Sequence, residues 1–510
     1  MAKGYKIGRY LLDTLTSGMY DNPLCVYREY VQNSVDAVDT LSRETGKPRT
    51  DYEVRINIDT PNKKIEIIDN GCGIPAEAAE RILLSIGDSD KFGNRERGFR
   101  GIGRLGGVAY CDSLCFRTKA SGENIETIIS WDCSQIRQLL YPSNRAARNL
   151  SLGDLIDASV TVKTNGTGKR ASDSYFCIQM DNVRCAKNIL LDVKAVRKYL
   201  TQVAPVPFDF MMFAYGEDLH NWLNKQVPNY NVYRVFVNEE EILKPYSQTV
   251  LVRKGETDSI VNIVKYDITD NDGKAIAYGW RGIRKNNLAQ LNAFEGVDGI
   301  RVRIGNILLG DKNVLDDAFR EARFNRYNIG EVHVIDPALI PNARRDNFED
   351  GELKSVFFNS IERELGIPLR KTIRDASKNV SNLKPLKLAD EIILTVQNQE
   401  KKGFVSKNHK GNMIRDLRSA KTELEVMQKK NKLDSKIKQD TLVRIDKINE
   451  FVNRLEGTKP DITSLLAAKY SQKDRTTIQA VLEAVYENYP KTNDRVRLIE
   501  KVVAYLNRGN

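Results

Sequence analysis

The sequence predicts an α+β protein with an all-α C-terminal region, and three observations carry that expectation. Residues 1–205 mix helical periods with short, mostly antiparallel strands, the pattern of an α/β sandwich. Residues 206–370 form a second mixed α/β region, entered through the proline-marked boundary "QVAPVPFDF". Residues 371–510 read as basic, coiled-coil-like helices.

Each element follows from a local pattern. Residues 8 to 45 are helical in period and end near "ETGKPRTD". "YEVRINID" and "KKIEIID" alternate as two strands joined by a turn at "TPN". A helix over "PAEAAERILLSIG" precedes a glycine-dense segment, 87–107. Strands follow at "SLCFRTKA", "ETIISWD", "ASVTVKT" and "SYFCIQM". In the second region, "YRVFVN", "SIVNIVKYDITDNDGKAIAYGW", "GIRVRIGNILLG" and "GEVHVI" are strands, with Asp272-Gly273 at a hairpin turn. Asp267, Asp270 and Asp272 lack the spacing of a calcium loop, so turn chemistry is expected there. Met413, Leu417, Ala420, Leu424 and Met427 alternate by four and three, as do Ile445, Ile448, Val452 and Leu455. A register break between them predicts two coiled-coil arms in a hairpin, with a compact helical piece over 461–508.

Composition narrows the class. The 510 residues contain no apolar run of membrane-spanning length, and "MAKGYKIGRY" has no secretory h-region. Seven cysteines without a CxxC pair, with three histidines, argue against structural zinc and for reduced thiols in a cytoplasmic protein. The formal charge of +11 is uneven: residues 371–510 hold 29 Lys+Arg against 18 Asp+Glu, so the first 370 are neutral. A basic helical end attracts nucleic acid or an acidic partner, and a lysine-rich solvated surface gives the same count.

The chemistry-bearing residues lie in three stretches. In "REYVQNSVDAV", Glu29, Asn33 and Asp36 share one helical stripe, which is either a solvated face or the wall of a polar site. "IIDNGCGIP" is an apolar strand ending in Asp69, then Gly71 and Gly73. A strand-end carboxylate there can accept from an amino group such as adenine N6, and read alone it is equally an Asp-Asn-Gly turn. "GFRGIGRLGG" offers backbone N–H groups for phosphate at Gly98, Gly101 and Gly103. It has neither Rossmann context nor the P-loop pattern, which "NGTGKRAS" also misses.

In this order and spacing the three stretches resemble the ATP-binding fold of the gyrase, heat-shock chaperone, histidine kinase and MutL superfamily (GHKL, the Bergerat fold). The resemblance spans roughly residues 8–190 and is closest to the ninety-kilodalton heat-shock chaperone (HtpG-like) branch, whose first helices "LLDTLTSGMYDNPLCVYREYVQNSVDAVDTL" resembles. It implies ATP and Mg²⁺ as cofactors and ATP hydrolysis as the activity. It further implies Glu29 as the base that polarises water, Asn33 as the Mg²⁺ ligand, with Asp36 as support behind them, and Asp69 as the adenine-reading carboxylate beside Gly71 and Gly73. Gly98, Gly101 and Gly103 would cradle phosphate. "IGDSDK" resembles the lid, making Ser89 and Lys91 phosphate contacts, and Thr167 in "NGTGK" resembles the threonine before the last sheet strand. "HVIDPALIPNARRDNFED" resembles the middle-domain segment whose arginine reaches the γ-phosphate, best matched by Arg345 with Arg344 adjacent. Read alone, that pair is equally a surface Arg-Arg after a Pro-Asn turn.

The implied organisation is a GHKL domain (1–205), a heat-shock-chaperone-like middle domain (206–370) and a basic helical region (371–510) without a match to the chaperone's dimerisation domain. The three histidines lie behind the ATP domain, unlike a histidine kinase, and there is little room for a topoisomerase cleavage domain. The expected partner is a protein client, with no membrane and a homodimer formed through the C-terminal helices. The alternative is a DNA-engaging clamp of the MORC type, or an accessory ATPase of a DNA-directed system, favoured by the basic end.

Overall fold

The computed structural model describes residues 7–16, 22–87, 102–144, 147–168, 172–287, 289–429, 435–459, 461–489 and 494–508. They form two compact units, 1–373 and 374–510.

The first unit begins with α1 (Tyr10–Thr16) and α2 (Cys25–Thr45), then the hairpin β1 (Glu53–Asp59) and β2 (Lys64–Asp69). Helix α3 (Ala76–Leu84) and a 3₁₀ segment (Gly103–Ala109) lead to β3 (Ser113–Lys119) and β4 (Ile125–Asp132). Helices α4 (Cys133–Leu140) and α5 (Leu152–Ser159) precede β5 (Val160–Gly166) and β6 (Tyr175–Asp181). After α6 (Val193–Val203) and α7 (Gly216–Gln226) come β7 (Arg234–Val237) and β8 (Glu240–Glu241). These strands make one sheet in the order β5-β4-β3-β6-β2-β1-β7-β8. Every pairing is antiparallel except β1 with β7. The alternating Val54, Ile56, Ile58 and Ile65, Ile67 bury one face against Val31, Val35 and Val38 of α2, as the period of two predicts.

Residues 234–241 join this sheet although they follow the proline-marked segment. Val235 and Val237 complete its core, and the Asn238 side chain accepts from the Ile58 N–H at 2.7 Å and donates to the Ile58 carbonyl at 3.1 Å. The first sheet therefore draws on both sides of the 205 position.

The second sheet contains β9 (Thr249–Leu251), β10 (Thr257–Thr269), β11 (Ala275–Arg284), β12 (Gly299–Ile304) and β13 (Ile307–Leu309). After the short helix α8 (Ala322–Asn325), β14 (Ile329–Val334) completes it in the order β13-β12-β14-β11-β10-β9. The β10–β11 turn is held by Asp270, whose carboxylate accepts from the N–H of Asp272 at 3.0 Å and Lys274 at 2.9 Å. That is the turn chemistry expected there. Helix α9 (Glu352–Ile361) covers the sheet through Phe357 and Ile361 and runs through a π-turn into α10 (Ile367–Lys402).

In the second unit, α11 (Lys407–Gln428) and α12 (Ser435–Gly457) are the two arms that the heptad-like stripes predict. Leu417, Leu424, Ile448 and Leu455 are buried with Leu386, Ile393 and Val396 of α10 in one three-helix core. The apolar stripes are thus buried within one chain. Helices α13 (Gln472–Asn488) and α14 (Asp494–Asn507) bury Leu482, Tyr486, Ile499 and Val503 in a separate cluster. Among the described residues, no helix is long and apolar enough to cross a membrane.

Leu424→Ala removes a fully buried side chain from the three-helix core. It is expected to destabilise the helical unit by about 2–5 kcal/mol, read as a shift in its thermal or urea transition.

Candidate active site

Helix α2 supplies one wall of the site. Glu29 and Asp36 are buried and Asn33 half-buried, so the stripe faces the interior rather than solvent. The other wall is the end of β2, pressed onto the helix. A Cβ added at Gly71 would lie 2.7 Å from the Ala37 Cβ, and the Cys72 N–H donates to the Ala37 carbonyl at 3.2 Å. Only glycine allows that approach.

Asp69 lies at this junction, 2 % exposed. Its carboxylate accepts from the Gly71 N–H at 3.0 Å, from the Ser34 hydroxyl and from the Phe176 N–H. Burial pushes its carboxyl up to about 7, while those three bonds pull the other way. Gly73 has φ +64°, and any Cβ there would strike the Lys119 carbonyl, so backbone lines this side of the cleft.

Glu29 meets two guanidiniums. Arg28 Nη2 is 3.2 Å and Arg345 Nε 3.8 Å from Glu29 Oε1. Arg345 comes from the segment after β14 and donates through Nη1 to Gln32 Oε1, one turn along α2. Arg28 Nη2 also donates to the Arg344 carbonyl at 3.2 Å. Arg344 is exposed and Arg345 half-buried, so Arg345 is the member of the pair that enters the site. The Asn33 side chain, one turn beyond Glu29, has no hydrogen-bond partner among the described residues.

The 3₁₀ segment packs on the same helix. The Gly107 N–H donates to Tyr30 Oη at 2.8 Å, and Tyr30 Oη donates to the Arg104 carbonyl at 3.2 Å. A Cβ at Gly103 would stand 2.5 Å from Glu29 Oε2, so backbone closes over the carboxylate. Glu29, Asn33, Asp69, Gly71, Gly73, Gly103 and Arg345 are thus brought to α2 and its neighbours. Ser89, Lys91, Gly98 and Gly101 lie outside the described residues.

Thr167 is not brought there. It follows β5 at the outer edge of the sheet, its N–H donating to the Asn124 carbonyl at 2.9 Å. Strands β4, β3 and β6 separate β5 from β2, a span of roughly 19 Å. The position before β6 belongs to Ser174, which is buried and donates to the Gly71 carbonyl at 2.6 Å. The strand pattern of "SYFCIQM" was the signal for it. Arg28, Gln32 and Ser34 also escaped sequence reasoning, because nothing in "REYVQNS" marks which polar residues turn inward.

Residues 24–150 match the family model of histidine kinase-, DNA gyrase B- and HSP90-like ATPases. This domain is a GHKL-type ATPase domain of the Bergerat fold, followed by a second mixed sheet and a helical region. The chaperone protein HtpG of Psychrobacter arcticus is 30% identical over 139 residues, covering 24% of this chain and 21% of that protein. HtpG of Francisella tularensis subsp. novicida is 29% identical over 140 residues, covering 24% and 22%. The chain thus matches about a fifth of the length of these relatives. The ATPase region of Saccharomyces cerevisiae topoisomerase II is a looser likeness, with TM-score 0.37 and 11% identity over 69% of this chain and 85% of that one.

Asp69 gives a test without nucleotide. Its folded value, about 7, lies above the ordinary carboxylate value of 3.8. Its contribution to stability is therefore full below about pH 4 and lost as pH rises through about 7. Asp69→Asn removes that loss. The melting temperature of the variant minus that of the wild type is expected to rise between about pH 4 and pH 8; a flat difference would show the carboxyl to be unshifted.

Proposed function

We propose that the chain is an Mg²⁺-dependent ATPase that uses ATP-driven closure to remodel a protein partner. The observation that carries this reading is the meeting of Arg345 and Glu29, contributed by segments around two different sheets, one helical turn from Asn33.

The donor set fits the nucleotide. Asp69 offers a buried carboxylate to the adenine amino group, with Gly71 and Gly73 leaving the backbone open to the base. Asn33 would hold Mg²⁺, which would supply positive charge to offset that of the phosphates. Glu29 orients and polarises the attacking water, and the guanidinium of Arg345 meets charge developing on the transferred phosphoryl group. Gly103 would offer its backbone N–H to phosphate; the resemblance in sequence gives Gly98, Gly101, Ser89 and Lys91, which lie outside the described residues, phosphate-binding roles as well. Bound ATP favours the arrangement in which all these contacts are made, and hydrolysis resets it.

The similarity to HtpG supports a protein as the partner. A second reading, ATP-gated engagement of DNA, rests on the excess charge of residues 371–510.

Steady-state Mg-ATP hydrolysis tests the activity. Glu29→Ala is expected to lower kcat ~10²–10⁴-fold with nucleotide still bound. Arg345→Ala should lower kcat with little change in nucleotide affinity. Normal turnover in Glu29→Ala would move the base elsewhere. Stimulation by an unfolded protein, with indifference to double-stranded DNA, supports remodelling. Stimulation by DNA that fades with salt supports the second reading.

A further inference from the structure

The second sheet encloses a polar cluster that the ATPase reading does not use. Glu331 on β14 has no exposed surface and is met from all sides. Arg303 Nε is 2.5 Å and the Tyr246 hydroxyl 2.9 Å from Oε1. Lys244 Nζ is 2.8 Å and His333 Nε2 3.1 Å from Oε2. Burial opposes ionisation of Glu331, but Arg303 and Lys244 outweigh it and hold the carboxyl well below its usual range. Burial and the nearby Arg303 push Lys244 down to about 7, and burial pushes His333 down to about 4. The carboxylate is the fixed anion around which the cluster is built.

Two of its members reach on to one turn. Arg303 Nη1 donates to the Asn306 carbonyl at 3.0 Å, and Lys244 Nζ donates to Asn306 Oδ1 at 3.0 Å. Asn306 Nδ2 donates to the Asn231 carbonyl at 3.0 Å. Gly305 and Asn306, at φ +53° and +65°, are the two central residues joining β12 to β13. The cluster therefore fixes where β13 starts. Along β13, Ile307 faces Arg28, Val31 and Gln32 of α2, and Leu308 enters the core of the first sheet. Just past its end, the Gly310 N–H donates to the Arg345 carbonyl at 2.7 Å. Gly310 has φ +60°, and a Cβ there would sit 2.5 Å from Val314 Cγ2 and collide with the Asp346 carbonyl.

We propose that Glu331 is a positioning residue for Arg345, acting through the Asn306 turn, strand β13 and the Gly310 N–H. Glu331 touches neither nucleotide nor Glu29. It fixes where β13 starts, and so where the Gly310 N–H holds the Arg345 carbonyl and where the Arg345 side chain meets Gln32 and Glu29. The inference rests on the role given above to Arg345.

The test uses the full chain and three variants: Glu331→Gln, Arg345→Ala and the double variant. Glu331→Gln keeps the shape and removes the charge. It is expected to lower kcat on the order of 10–100-fold, as small misplacements of a catalytic group do, with nucleotide affinity unchanged. In the double variant the loss should be no greater than in Arg345→Ala alone, because both act at one point. A lower melting temperature is expected in either case, because Arg303 and Lys244 lose a buried counter-charge. A purely structural role predicts an unchanged kcat per folded molecule or losses that multiply, and either overturns the relay. Normal turnover in Arg345→Ala would instead remove the role of Arg345 itself. Should Glu331→Gln not fold, Asn306→Gly keeps the turn's positive φ and cuts its side-chain bonds. The same coupling with Arg345→Ala is then expected, and independence from it refutes the proposal.

Discussion

The close contact between Gly71 and Ala37 sets the geometry of the site. It brings the end of β2 onto the middle of α2 at a distance no side chain at position 71 would permit. Asp69 then reaches Ser34 and the Phe176 N–H together, while Asn33 and Glu29 project from the same helix one and two turns away. Because α2 is packed along its length by Val31, Val35 and Val38, a shift at one end moves every polar group on the stripe. The alignment is a consequence of apolar packing, and the polar residues inherit it.

A second constraint acts on Glu29. Two guanidiniums near one buried carboxylate are stable only if each has other partners, since desolvated charge is expensive to leave unpaired. Arg28 gives part of its capacity to the Arg344 carbonyl, and Arg345 gives Nη1 to Gln32. Arg345 also carries a left-handed backbone, φ +56°, a conformation costing on the order of 1 kcal/mol or more unless the surroundings impose it. The Gly310 N–H on its carbonyl and the Asn342 carbonyl on its N–H impose it. Strain of this kind at a residue that carries a guanidinium from the second sheet's segment to Glu29 fits a backbone set by where its side chain goes.

The parts of this arrangement legible in the sequence were those written in local periods. The stripe of α2, the β1–β2 hairpin and the Asp69–Gly73 strand end needed only spacing and turn chemistry. Thr167 was misleading because the loop between β5 and β6 is long, and sequence spacing does not say which side of a loop carries the buried hydroxyl. The parallel pairing of β7 with β1 joins residues some 180 positions apart, as Glu53 and Arg234 show, and no local pattern encodes it. Glu331 and His333 alternate with Val332 and Val334, which is the pattern of a strand with one wet face. Both faces are buried, because Lys244 and Arg303 arrive from distant segments to neutralise the polar one.

The basic helical unit separates two kinds of positive charge. Residues 371–510 contain nine arginines, and at least five of those among the described residues act within the fold. Arg418, Arg444 and Arg454 pair with Glu456, Asp390 and Glu400 on other helices, Arg475 donates to the Leu466 and Ala467 carbonyls, and Arg495 lies over the Tyr486 ring. The exposed pairs contribute little, about 0–1 kcal/mol each, so the three-helix core rather than charge holds the bundle together. The segment's other cations are mostly its 20 lysines, some of them also paired within the unit, as Lys402 is with Glu500; a lysine attracts anions as a point charge but lacks the planar fork that recognises a base edge or a bidentate phosphate. Any nucleic acid drawn to this unit would be held through its phosphates, without sequence preference and with strong dependence on salt. A surface whose charge rests mainly on lysine thus supplies attraction for anions without the means to read a sequence.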